Sequence, residues 1–223
     1  MVLETIRYPK SLWSYNPNPR GCVLYLPLWH PSLRGPKFQS PDHYRHSCSV
    51  IGTTLGSQGR TFDGVDDKIT IPDAPSLSLG SAFTLECWVK KTGAGELFLI
   101  SKDNTILREF NTSFNASERL YWEVYGGVAV GQLADTTLSL DTWYHSVFTW
   151  DGAYMRPYVN GVIDATPKAK VTALDDTAQQ VEIGVRAGLG FMAGVIGEVR
   201  IYNRALTPLE IQHNYLATKE RYR

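Results

Sequence analysis

Three cysteines in 223 residues, Cys22, Cys48 and Cys87, are too few for a disulfide framework, and their spacing matches no metal-ligand motif. Excess charge of either sign is also missing, since 22 Lys and Arg balance 22 Asp and Glu without a basic block. Proteins that bind nucleic-acid backbones gain affinity by releasing counterions from clustered Lys and Arg, so the composition argues against that class. No apolar run approaches the ~18 residues that a membrane span needs. The opening MVLETIRYPKSLW carries an early acid and no apolar core of the kind a secretory leader has. The expected location is nevertheless extracellular or on a particle surface, reached as a mature fragment, by another export route, or on release from a cell or particle.

Helical periodicity is scarce as well, and no internal repeat has a fixed period. Seven prolines between Pro9 and Pro41 exclude long helices and central strands from the first ~60 residues. There only CVLYLPLW (22–29) reads as a strand. Residues 1–20 read as an extended Pro-rich arm, and 21–223 as one domain. From Thr61 onward, strand-length β-branched or aromatic runs follow one another: 68–72, 83–91, 96–103, 119–125, 143–150, 154–160, 181–186 and 194–203. Asp, Gly, Asn or Pro separates most of them. Only TPLEIQHNYLATKE (207–220) has helical spacing. Thr207 is a good N-cap there, Pro208 suits the first turn and Glu210 completes a capping box. Leu209, Ile211, Tyr215 and Leu216 form the expected apolar face. Many short strands with one short terminal helix predict an all-β, two-sheet antiparallel sandwich.

In the stretch 141–163, Asp151-Gly152 and Asn160-Gly161 supply the positive φ of two-residue hairpin turns, which predicts a three-strand meander. Met155, Pro157 and Val159 then share one face of its middle strand, and Tyr154, Arg156 and Tyr158 the other. Pro157 cannot donate to a ladder and should face an edge, a gap or a bulge. In FTLECWVKK, Phe83, Leu85, Cys87 and Val89 alternate onto one face, so Cys87 reads as a buried thiol. Cys22 and Cys48 are expected to stay reduced.

FDGVDDKITIPD (62–73), FTLECWVK (83–90), TWYHSVFTWDGAYMRPYVNGV (142–162) and GVIGEVRIYNRALTPLEI (194–211) occur in the order of the signatures of laminin-G-like, concanavalin A-like jelly-roll domains, which this chain resembles over about residues 60–216. The resemblance implies two antiparallel sheets, one of them concave, with the closing helix packed at the end. It also implies a structural calcium near FDGVDD, where Asp63, Asp66 and Asp67 supply the hard oxygens that Ca²⁺ prefers. The family completes this site with an acid from a Gly-x-Ile-Asp-Glu-Val-Arg strand. Here Gly197 replaces the family Asp and Glu198 is kept. Ile196, Val199 and Ile201 cannot all face one side of a regular strand, so a bulge at 197–198 is expected, and it would turn Glu198 toward the FDG loop.

Glucanases of this fold carry paired acids on one strand. Glu86, Glu123, Glu182 and Glu198 each lack a partner at i+2 or i+4, no Gly-x-Ser-x-Gly elbow is present, and His145 reads as structural. The expectation is a non-catalytic module that binds a glycan or a surface partner. Its ligand residues are Trp150, Tyr125, Tyr154 and Arg156, with Arg108 and Asn111 from a long 104–118 loop; the alternative for each ring is simple sheet packing. A second class is an assembly protein, such as a virion decoration or surface-coat subunit, whose N-terminal arm makes homo-oligomer contacts.

Overall fold

The computed structural model describes residues 19–223, so residues 1–18 of the expected arm, and the subunit contacts assigned to it, lie outside the described residues. The domain is a sandwich of two antiparallel sheets. The nine-stranded sheet runs Val162–Ile163, Tyr154–Val159, Trp143–Trp150, Phe83–Lys91, Ala193–Tyr202, Arg60–Asp63 and Thr54–Leu55. Cys22–Pro27 pairs with the second half of Ala193–Tyr202, and Lys168–Ala169 pairs with Tyr154–Val159. The eight-stranded sheet runs Val130–Thr137, Arg119–Val124, Arg108–Phe114, Leu97–Asp103, Val181–Ile183, Lys68–Ile71, Ser47–Ile51 and Lys37–Gln39. The core between them is fixed by period-2 alternation. Phe83, Leu85, Cys87 and Val89 point inward together. The Phe83 ring meets Phe148 and Trp150 of its own sheet, each at 5.8 Å, and Phe110 of the other at 5.7 Å.

Residues 19–60 hold more structure than expected. Lys37–Gln39 and Ser47–Ile51 extend one sheet, while Thr54–Leu55 and Arg60–Asp63 extend the other. These strands are short and polar, and the three-residue edge strand Lys37–Gln39 lies between Pro36 and Pro41, where proline is tolerated. Arg60, 2% exposed, ties the segment down by donating to Thr53 O, Leu33 O and Gly35 O. The expected 104–118 loop is likewise a tight turn followed by the strand Arg108–Phe114. Its run of Asn111, Thr112 and Ser113 hides the alternation that Phe110 and Phe114 carry.

The meander at 143–163 forms as expected, with Asn160 and Gly161 both at positive φ. At the first turn only Gly152 has positive φ, while Asp151 Oδ1 accepts from the N–H groups of Ala153 and Tyr154. Pro157 O accepts from Asp164 N. The proline's nitrogen therefore faces the same outer edge, in the gap between Val162–Ile163 and Lys168–Ala169. Among the described residues no helix is long and apolar enough to cross a membrane.

The helix Pro208–Thr218 has the expected capping box, but its packed face differs from the one expected. Leu209 and Leu216 are 77% and 50% exposed, whereas Ile211, Asn214 and Thr218 are buried. The reason lies beneath the helix, on the outward face of Phe83–Lys91. Glu86, buried there, accepts from Arg200 Nη1 at 2.7 Å and Asn214 Nδ2 at 2.9 Å, and lies 3.0 Å from His145 Nε2. A buried carboxylate needs donors more than it needs leucine. All three cysteines are buried and free; burial raises all three thiols, with Cys48 and Cys87 pushed up to about 12.

Candidate functional site

The outward face of the eight-stranded sheet is built by register. In Arg119–Val124, Leu120, Trp122 and Val124 enter the core, so Arg119, Tyr121 and Glu123 face outward, with Tyr125 just beyond. Cross-strand pairing sets Glu123 beside Asn111, Asn111 beside Ser101, and Ser101 beside Glu182. The same row continues through Thr70 and Ser49 to Lys37. One polar stripe thus crosses all eight strands, from Lys37 to Gly131, about 34 Å at ~4.8 Å per strand.

Its centre is a hydrogen-bonded knot. Glu123 Oε1 accepts from Tyr121 OH at 3.3 Å, and Oε2 accepts from Tyr125 OH and, at 3.3 Å, from Asn111 Nδ2. The other acceptor for Asn111 Nδ2 is Asp103 Oδ2, also at 3.3 Å. Asp103 in turn meets Arg186 Nε at 2.9 Å. Arg108 donates to Tyr125 OH at 3.3 Å, and its guanidinium lies 5.1 Å from that ring's centroid. Burial and the Glu123 carboxylate push the Tyr121 phenol up to about 12 and raise Tyr125 further. Both hydroxyls therefore remain donors at neutral pH. Gly131, paired with Glu123, leaves room for the Tyr121 phenol: a Cβ there would lie 2.0 Å from its oxygen, and the ring would have to move. Ser113, across from Tyr121, is 1% exposed and its hydroxyl has no hydrogen-bond partner among the described residues. Ile106 and Val128, in the turns that flank this knot, are 84% and 73% exposed.

Three of the six expected ligand residues, Arg108, Asn111 and Tyr125, therefore meet, but Asn111 and Tyr125, 1% and 6% exposed, are buried within the knot. Tyr154 and Arg156 do not join them. They stand on the nine-stranded sheet, where Arg156 pairs with Asp151 at 2.6 Å and lies over the Tyr154 ring. Trp150 is a correction: it is 1% exposed, shares the inward face with Phe148, and donates Nε1 to Lys170 O at 2.7 Å. Tyr121, Asp103 and Arg186 were not singled out by sequence reading. The signal for the first was present in YWEVY, which alternates aromatic, acid and aromatic at 121, 123 and 125.

The acidic turn clusters its carboxylates. One oxygen each of Asp63, Asp66 and Asp67 lie within 4.8 Å of one another. Asp63 Oδ1 and Asp67 Oδ2 accept backbone N–H groups that hold the turn. Burial raises the Asp67 carboxyl, as does its crowding by two neighbouring acids, a combination that a cation would relieve. Glu198 is not part of the set. The bulge occurs where expected, between Ile196 and Glu198, but Asp63 pairs with Ala193, five residues or about 16 Å back along the strand. Glu198 turns instead to Trp29 Nε1, at 3.2 Å, and to Arg200. Gly197 permits this, since a Cβ there would lie 2.3 Å from the Tyr222 ring.

A two-sheet sandwich closed by one helix, with a polar outward face, defines a jelly-roll domain. The family model described as the concanavalin A-like lectin/glucanases superfamily, of laminin-G type, matches residues 63–212, and the chain belongs to that family. Among curated protein sequences none matches it significantly. Similar solved structures include the binding domain of Paraclostridial Mosquitocidal Protein 1, at 15% identity and TM-score 0.68, covering 87% of this chain and 52% of that one. The ligand-binding domain of botulinum neurotoxin serotype D, solved in complex with N-acetylneuraminic acid, matches at 14% identity and TM-score 0.68, covering 88% and 50%. Trypanosoma rangeli sialidase matches at 19% and 0.68, covering 90% of this chain and 33% of that one. The chain thus spans about half the length of the toxin domains and a third of the sialidase.

Proposed function

We propose that this domain is a non-catalytic glycan-binding module whose site is the Arg108–Tyr121–Glu123–Tyr125 region of the eight-stranded sheet. The observation that carries this reading is the knot itself. A partly exposed carboxylate is held between two phenols, beside a guanidinium. Such groups match vicinal sugar hydroxyls, and the half-buried Tyr121 ring offers a surface for an apolar sugar face, while Tyr125, 6% exposed, holds the carboxylate. The toxin domain solved with N-acetylneuraminic acid supports a glycan as the ligand class through shared fold alone. Asp103 faces Glu123 across Asn111, but it is 3% exposed and ion-paired to Arg186, so it is poorly placed to act as a general acid.

The test is a glycan array with wild type, Arg108→Ala and Tyr121→Ala, beside light scattering and a hydrolysis assay. Binding without turnover, lost in both variants, is expected. A blank array with an oligomer in solution supports the assembly reading instead, and sugar release overturns the non-catalytic one.

We also propose that Asp63, Asp66 and Asp67 hold Ca²⁺, which would brace the loop and take no part in recognition. Ligand binding to the folded state alone stabilises by about 2.7 kcal/mol at a hundredfold excess over Kd. EDTA should lower Tm and millimolar calcium should restore it, with Asp63→Ala insensitive to both. Superimposable melting curves would remove the cation from the account.

A further inference from the structure

A cleft of about 570 Å³ opens on the far side of the domain from the polar stripe, between the end of the first strand, the 197–198 bulge and the C-terminal turn Lys219–Arg221. Its volume falls in the range of small-molecule sites, ~300–1,000 Å³. Its walls include Tyr25 and Trp29, its rim Glu220 and Arg221, and it reaches in to Glu198, which is 3% exposed. Glu198 is built in: its Oε2 accepts from Trp29 Nε1 at 3.2 Å, and its Oε1 touches Arg200. Arg200 is shared, because its Nη1 also serves Glu86 at 2.7 Å. Glu220 pairs with Arg223.

The remaining cation is informative. The guanidinium of Arg221, an exposed residue, lies 3.5 Å from the centroid of the Trp29 ring. Aromatic faces attract cations by their quadrupole, most strongly on Trp. Of the cleft's own lining, Glu198 lies against Arg200 and Glu220 against Arg223, so Arg221 sits where two carboxyls border an indole face. The chain's own side chain shows what chemistry fits there, and the cleft beside it has room for more than that side chain.

We propose that this cleft binds an organic cation, a guanidinium or quaternary ammonium group, with Trp29 as its stacking face, Glu198 as its counter-ion and Arg221 as a resident competitor. The site is separate from the glycan face and stands or falls apart from it. Burial pushes the Glu198 carboxyl up to about 8, so the counter-ion is fully charged only above that pH. Among the groups near it, Tyr25 and Tyr222 are raised above the ordinary phenol value of 10 and stay neutral there, while burial lowers Arg200 from the ordinary guanidinium value.

The experiment uses the full chain labelled with 5-fluorotryptophan, whose six resonances are followed by ¹⁹F NMR at pH values above and below about 8. Trp29→Phe assigns the reporter. Methylguanidinium and tetramethylammonium chloride are titrated against sodium chloride at equal ionic strength, which controls for screening. A saturable shift of the Trp29 resonance is expected, tighter at the higher pH. Arg221→Ala, an exposed substitution, should raise affinity at least threefold, and Glu198→Gln should lower it several-fold with the fold retained. Three results would overturn the proposal: no saturable shift in either wild type or Arg221→Ala, unchanged affinity in Arg221→Ala, or a response to neutral sugars but not to the cations.

Discussion

Tyr154 and Tyr158 lie four residues apart on one face of one strand, yet the first is 46% exposed and the second 2%. The difference is what lies above them. Tyr158 packs in a cluster with Tyr25, Tyr202, Leu206 and Ile211, so the C-terminal helix and the first strand cover it. Truncating a buried ring costs about 3–5 kcal/mol, while an exposed substitution stays within about 0.5 kcal/mol. Urea denaturation should therefore place Tyr158→Ala well below Tyr154→Ala, and equal midpoints would contradict the assigned packing. At this scale the sequence was readable wherever strict alternation held. Phe83, Leu85, Cys87, Val89, Met155 and Val159 all face inward as expected. Reading failed where both faces of a strand are buried or where a ring has a polar edge. Trp150 looked like a platform because an indole N–H can as well serve a ligand as a backbone carbonyl.

Helix Pro208–Thr218 shows the same limit for a whole element. Its start was legible because capping is local: Thr207 Oγ1 accepts from Glu210 N at 3.3 Å, and Glu210 Oε2 accepts from Thr207 N at 2.8 Å. Its packed face was not, because that depends on Glu86, which is remote in sequence and demands Asn214. Arg204 adds a fork onto Glu210, at 2.7 and 3.0 Å, and holds its carboxyl at about 2, well under the usual 4.5. A carboxyl depressed in the folded state contributes stability above its unfolded pKa and loses it as pH falls through the folded one. The loss should fall between about pH 4.5 and about 2. The Glu210 side chain is 40% exposed, so solvent screening keeps the effect under ~1 kcal/mol. Glu210→Gln should flatten the acid limb of the stability profile in that window, and a profile parallel to wild type would mean that the pair contributes nothing.

For the molecule as a whole, the long strand Ala193–Tyr202 is the organising piece. It pairs with Phe83–Lys91 on one side, and on the other with Arg60–Asp63 before the bulge and Cys22–Pro27 after it. The first strand is therefore part of the sandwich. Val23, Leu24, Leu26 and Leu28 are each at most 1% exposed, and even ~2 kcal/mol for each lost side chain rivals a total stability of ~5–15 kcal/mol. A chain beginning after Leu28 should show no cooperative thermal transition, and a retained transition would remove that strand from the core. The fold class and the family were legible because four ordered motifs and the alternation agree. The site was legible only in fragments, because Arg108, Asn111, Glu123 and Tyr125 become neighbours through register, which one sequence does not display. The most direct test of the central claim is calorimetric titration of the best glycan from the array into wild type and Tyr121→Ala, with folding checked by circular dichroism. The account predicts saturable binding by wild type and at least a tenfold loss in a folded Tyr121→Ala; undiminished binding by that variant would contradict it.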